Sequence, residues 1–159
     1  MSASSKVLRV YLDTSVIGGC FDEEFGVWSN ALVRDFRSGR YIPVLSDVLA
    51  AEIEPAPPHV QAAHRELVQI ADEVVSTTKE ALALRARYAK RGVLGPKYFN
   101  DMLHIAVATV ACADALASWN FKHIVRLDKI RLFNEINVDQ GYPALNIYSP
   151  REIASHEQA

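Results

Sequence analysis

The chain has 159 residues, half of them hydrophobic and 23% charged, which suits one globular domain, 1–159, with enough material for a real core. Its formal net charge of −2 excludes a generally basic nucleic-acid binder but leaves room for a local basic patch. No apolar run approaches the ~18 residues that a membrane-spanning helix needs. The start "MSASSK" has no apolar stretch of the secretory kind, and Cys20 and Cys112 form no spacing motif, so a cytoplasmic protein with free thiols is expected.

"RVYLD" (9–13) reads as a short buried strand that ends in an acid, and "TSVIGGCFD" turns away from it, with Thr14 or Ser15 able to cap a short helix. "NALVRDFR" (30–37) has helical spacing at Leu32, Val33 and Phe36, with Gly39 as its stop. "YIPVLS" (41–46) is a second strand. "SDVLAAEI" follows as a helix capped by Ser46 and broken by Pro55, Pro57 and Pro58. Pro58 then opens a third amphipathic helix, "PPHVQAAHRELVQIA".

Residues 74–76 read as a short edge strand, and "TKEALALRARYAKRG" as a helix of strong formers closed by Gly92. After the loop "VLGPKYFN", "DMLHIAVATVACA" is apolar nearly all round, which predicts a helix deep in the core. A strand (115–118), the helix "RLDKIRLFNEINVDQG", a last strand "LNIYS" and a helical turn "PREIA" complete the chain. Short apolar strands alternating with amphipathic helices predict a three-layer α/β/α sandwich around a mainly parallel sheet. In such sheets ligands bind beyond the carboxyl ends of the strands.

Four polar residues fall at that edge or at helix starts able to face it. Asp13 ends the first strand, Glu52 lies in the helix after the second, Asp101 opens the apolar helix, and Asn120 follows the strand "ALAS". Clustered carboxylates repel one another, and at least one would take up a proton unless a cation were present. Three acids and an amide oxygen are the hard donors Mg²⁺ or Mn²⁺ prefers, and such a metal can activate water against a phosphodiester. No His or Cys occupies these four positions, which disfavours zinc.

Each residue also has a plainer reading. Asp13 can cap a helix, Asp101 can complement a helix dipole, and Asn120 can be a turn residue. Glu52 competes with Glu54, but at about 100° per residue Glu52 lies nearer the Leu49–Ile53 face. Thr14, Ser15, Lys122 and His123 are further candidates for contact with substrate or ligand water. His104 reads as a hydrogen-bonded core histidine, and Asp114 stands at the wrong end of its strand. Basic residues flank the site at 85–97 and 122–131, where they could track a nucleic-acid backbone. Phe99 could stack on a base, while Trp119 and Phe121 are expected in the core.

The stretches "VYLDTSVIGG", "SDVLAAEI", "NDMLHIAVA" and "ALASWNFKHI", spanning residues 10–124, resemble the PIN-domain family and in particular VapC-type toxin ribonucleases of prokaryotic toxin–antitoxin pairs. The resemblance implies a metal-dependent endoribonuclease that cleaves RNA. Asp13, Glu52, Asp101 and Asn120 would form its catalytic set, and the three acids would hold Mg²⁺ or Mn²⁺. It also implies a small antitoxin protein as partner, a homodimer, and an apolar groove involving "NALVRDF" and "HRELVQIA". Many members have aspartate where this chain has Asn120, so a second metal should bind more weakly. A catalytically weak or inactive PIN-like module that binds RNA or a partner protein is therefore the alternative. Ser15, two places after Asp13, argues against the D-x-D of haloacid-dehalogenase phosphatases, and Gly18–Gly19 makes no dinucleotide fingerprint.

Overall fold

The computed structural model describes residues 6–71 and 73–155; residues 1–5, at the polar start, lie outside it. Five strands form one parallel sheet in the order β3-β2-β1-β4-β5. The strands are β1 (Leu8–Leu12), β2 (Tyr41–Ser46), β3 (Glu73–Val75), β4 (Ala115–Ala117) and β5 (Asn146–Tyr148). Between them run α1 (Thr14–Gly19), α2 (Gly26–Arg37), α3 (Asp47–Ile53), α4 (Pro58–Ile70), α5 (Lys79–Lys90), α6 (Phe99–Val110) and α7 (Leu127–Asp139), and α8 (Pro150–Ile153) follows β5. No helix among the described residues is long and apolar enough to cross a membrane.

Alternation along β1 builds the three layers. Tyr11 joins Val44 and Leu116 on one face, under α5, α6 and α7. Val10 and Leu12 join Leu45, Ala115 and Ala117 on the other, against α1 to α4. Successive strand residues point to opposite faces, so a sheet covered on both sides needs strands that are apolar throughout. The helix α6 fits the same logic: Met102 to Thr109 are all buried.

Pro43 stands inside β2, next to the central strand, yet β3 pairs with β2 only from Val44 onward. The proline thus falls where that flank has no ladder to break. Ser46 caps α3 as expected, its hydroxyl accepting the Leu49 N–H at 3.1 Å. The helix α2 begins earlier than its apolar spacing predicts. Its entry is a turn in which the Asp22 carboxylate accepts the N–H groups of Glu24 and Phe25, and Phe25 gives no side-chain cap.

The glycine pair that ends α1 is unequal. A Cβ at Gly19 would lie 2.7 Å from both Ser29 Oγ and Trp119 Nε1, whereas one at Gly18 would meet nothing within 4 Å. Gly19→Ala is expected to lower unfolding stability by about 1–3 kcal/mol through overpacking. Gly18→Ala, at an exposed helical position, should be neutral or stabilising by up to about 1 kcal/mol. Urea unfolding of the two variants beside the wild type measures both.

Candidate active site at the carboxyl edge of the sheet

The parallel register sets the first contact. Leu12 pairs with Ala117, so the next residues on the two strands, Asp13 and Ser118, emerge side by side. Asp13 occupies the N-cap position of α1 but makes no side-chain cap bond. Its carboxylate instead accepts Ser15 Oγ–H at 2.6 Å and Ser118 Oγ–H at 2.5 Å. Each serine oxygen in turn accepts a backbone N–H from the β4–α7 connection, Trp119 to Ser15 at 2.8 Å and Asn120 to Ser118 at 2.9 Å. Those N–H groups orient the hydroxyl protons toward Asp13.

Glu52 reaches the same edge from α3. Its Oε1 accepts Thr14 Oγ1–H at 2.5 Å and lies 2.6 Å from His104 Nε2, while among the described residues Oε2 meets only the Asn100 amide, at 3.3 Å. Glu54, the competing acid, is exposed and turned away. Asp101, in the first turn of α6, accepts from Asn120 Nδ2 at 3.3 Å and lies 3.1 Å from His123 Nδ1 through the same oxygen. Asn120 Oδ1 accepts the His123 N–H at 2.9 Å, which folds the loop back over α6. Asn120 thereby bridges Asp101 to Ser118, and Ser118 bridges on to Asp13.

The electrostatics separate the acids. Burial pushes the Asp13 carboxyl above its ordinary range and the Asp101 charge adds to that, against the opposing pull of His104 and the two serine hydroxyls. For Glu52 the upward push of burial is outweighed by His104, Thr14 and Asn100, and its carboxyl is held below the ordinary range.

The flanking candidates divide. Thr14, Ser15 and His123 all touch the acids. Lys122 is exposed and makes no side-chain contact with them among the described residues. Trp119 is buried and stacks on Phe25 at 4.2 Å, as expected, but Phe121 is half-exposed rather than core. It follows Asn120 on the outward turn of the loop. Arg85 lies over the Phe99 ring at 4.2 Å, while Arg91, Arg126 and Lys129 are engaged with Glu135, Asp128 and the Val93 carbonyl. Asp114 sits at the opposite end of the sheet, bound to Lys6 and to the Arg9 N–H.

Ser118 and Asn100 carry no motif that would have singled them out, and His104 is both the core residue expected and a direct partner of Glu52. The one available signal for Ser118 is a hydroxyl at the end of a strand that neighbours β1.

Among the described residues, no three His, Cys, Asp or Glu side chains gather closely enough to enclose a metal ion. The donors nevertheless have the hard-oxygen character suited to Mg²⁺ or Mn²⁺, which keep several waters and need only one or two carboxylates from a protein.

No family model matches the sequence, and no curated protein matches it. Solved structures do. VapBC2 from Rickettsia felis bound to a DNA fragment from its promoter contains a chain that aligns over 89% of this one and 98% of its own length, at 14% identity and a TM-score of 0.55. FitAcB from Neisseria gonorrhoeae aligns over 91% and 99%, at 14% and 0.59. FitAB bound to an IR36 DNA fragment aligns over 93% and 99%, at 15% and 0.58. The fold is PIN-like. At these identities the likeness speaks for the fold, and the chemistry of the acid edge rests on this chain's own residues.

The two shifted carboxyls should act oppositely on stability. A raised folded pKa makes the native state the stronger proton binder, so ionisation of Asp13 costs stability as pH rises above its ordinary 3.8. Asp13→Asn should therefore be more stable than wild type near neutral pH, with the gain shrinking in acid. Glu52, with a lowered folded pKa, stabilises above its ordinary 4.5 and loses that contribution as pH falls through the folded value. Glu52→Gln should be less stable than wild type near neutrality, with the gap closing in acid. Denaturant unfolding at pH 7.5, 5 and 3.5 (on the order of these values, spanning the reference pKa range) tests both signs.

Proposed function

We propose that this protein is a metal-dependent endoribonuclease that hydrolyses RNA phosphodiester bonds, acting as the toxin of a type II toxin–antitoxin pair. The observation that carries the reading is the gathering of Asp13, Glu52, Asp101 and Asn120, four residues far apart in sequence, at the carboxyl edge of a parallel sheet with a PIN-like fold. Asp13, Glu52 and Asp101 would hold Mg²⁺ or Mn²⁺ in part through the waters such an ion keeps, and a bound ion would supply an activated water and charge stabilisation for the leaving oxygen. The chain's own contribution is orientation. Ser15 and Ser118 fix both Asp13 oxygens, Asn120 and His123 fix Asp101, and Thr14 and His104 fix one oxygen of Glu52. Thr14, Ser15 and His123, which touch the acids, would also meet water or substrate phosphate, and the exposed Lys122 would add a cation.

A small antitoxin protein and a second copy of the chain complete the reading. The VapBC2 and FitAB assemblies support such a partner, as does a cavity of about 200 Å³ between α1, α2 and α4, lined by apolar residues such as Ile17, Phe21 and Leu67 together with Asn30, Arg37 and Glu66.

The alternative, a PIN-like module that binds RNA or a protein without cutting, is favoured by two features. Asn120 offers one charge less than an aspartate, and every acid at the edge already has donors from the protein itself. Incubation of the protein with RNA and Mg²⁺ or Mn²⁺ is expected to give cleavage that falls to background in EDTA and in Asp13→Asn or Asp101→Asn. Asn120→Ala should retain a reduced rate. Cleavage that survives both aspartate changes removes the hydrolase reading, and absence of Mn²⁺ binding at millimolar concentration in calorimetry supports the binding module.

A further inference from the structure

Behind Glu52 lies a polar chain that the acid cluster does not use directly. Leu49 N–H donates to Ser46 Oγ, Ser46 Oγ lies 2.8 Å from Tyr11 Oη, Tyr11 Oη lies 2.6 Å from His104 Nδ1, and His104 Nε2 lies 2.6 Å from Glu52 Oε1. Ser46 and Tyr11 are fully buried and His104 is 2% exposed, so water cannot substitute for a missing partner.

The protons can be placed by counting. An ionised Glu52 only accepts, so His104 Nε2 carries a proton and donates. In a neutral imidazole Nδ1 is then the acceptor, and Tyr11 donates to it. Tyr11 has one proton, so its oxygen must accept from Ser46, whose own oxygen already accepts from Leu49. Every member then gives one bond and takes one, with nothing left over. Leu49 and Glu52 both belong to α3, so the bonds run from this helix through β2, β1 and α6 back to the same helix.

We infer that Tyr11 is a positioning residue for Glu52, acting through His104: its hydroxyl holds the imidazole in the Nε2–H form, which pins Glu52 Oε1 and leaves Oε2 as the oxygen offered at the acid edge. The inference rests on the reading of that edge as a cation site. The ring of Tyr11 belongs to the apolar core, and phenylalanine fills the same space. Only the hydroxyl serves the chain. Without it, Nδ1 has no donor, the imidazole is free to move its proton, and an unprotonated Nε2 would face the carboxylate and repel it.

The test combines two-bond ¹⁵N–¹H spectra of histidine-labelled protein with calorimetric titration by Mn²⁺. Wild type should show the neutral Nε2–H pattern for His104, and Tyr11→Phe should lose it and bind Mn²⁺ about 10-fold more weakly, the usual scale for loss of an outer hydrogen-bond partner. His104→Gln, whose amide can accept from Tyr11 and donate to Glu52, should keep most of the affinity, while His104→Leu should not. An Nδ1–H pattern in wild type overturns the inference. So does Tyr11→Phe with the wild-type pattern and wild-type Mn²⁺ affinity, even if its melting temperature falls. If Tyr11→Phe does not fold, equal affinity in the His104→Gln and His104→Leu variants overturns it instead. If wild type binds no Mn²⁺ while Tyr11→Phe still changes the His104 pattern, the cation-site reading fails and the positioning of Glu52 stands.

Discussion

The structure turns on the burial of one carboxylate at the end of its central strand. Asp13 is 5% exposed and follows directly on the apolar run of β1. A charge in that position is costly unless it is hydrogen-bonded. Among the described residues no Lys or Arg is brought to it. It uses two serine hydroxyls, each held by a backbone N–H from the β4–α7 connection. This solution requires β4 beside β1 in one register, and it requires the chain leaving β4 to turn back over α1. The packing of Trp119 against Phe25 and the hydrogen bond from its indole N–H to Ser29 secure that turn. Gly19 has to be glycine because the indole passes so close. A loop conformation, a glycine and an aromatic stack all follow from one buried acid.

Much of this was legible in the sequence because it is local. Ser46 as cap, the break at the prolines, the buried run of α6 and the choice of Glu52 over Glu54 depend on periods and caps within a few residues. What could not be read is set by contacts between distant segments. Ser118 meets Asp13 across 105 positions, and Tyr11 meets His104 across 93. No spacing rule reports such pairs. The early start of α2 was hidden for a different reason: its first turn lacks a side-chain cap, and the Asp22 turn that replaces one leaves no helical signature. Phe121 looked like a core residue by type, yet one step beyond the Asn120 turn it faces outward.

Asn120 gains a clearer part from the structure than from its letter alone. In the sequence it stands as an aspartate with a charge removed. In the fold it has both an acceptor and a donor in use, toward the His123 N–H and toward Asp101. An aspartate there could not donate to Asp101, and two carboxylates would face each other. The amide thus trades a negative charge for a tie between the β4–α7 loop and α6, which fixes where Asp101 sits relative to Asp13.

The two ends of the sheet differ in how their charges are balanced. At the amino end Asp114 and Glu73 are matched by Lys6 and Arg9. At the carboxyl end, among the described residues, the acids have only hydroxyls, amides and two histidines as partners, and no Lys or Arg. The molecule is therefore polarised along its strands, with an unneutralised pole at one rim. Any small cation that settles there binds the native chain and not the unfolded one, so it acts as a folding ligand whose effect grows with the logarithm of its concentration. Its concentration would then set the fraction of native chain with no change in the protein itself.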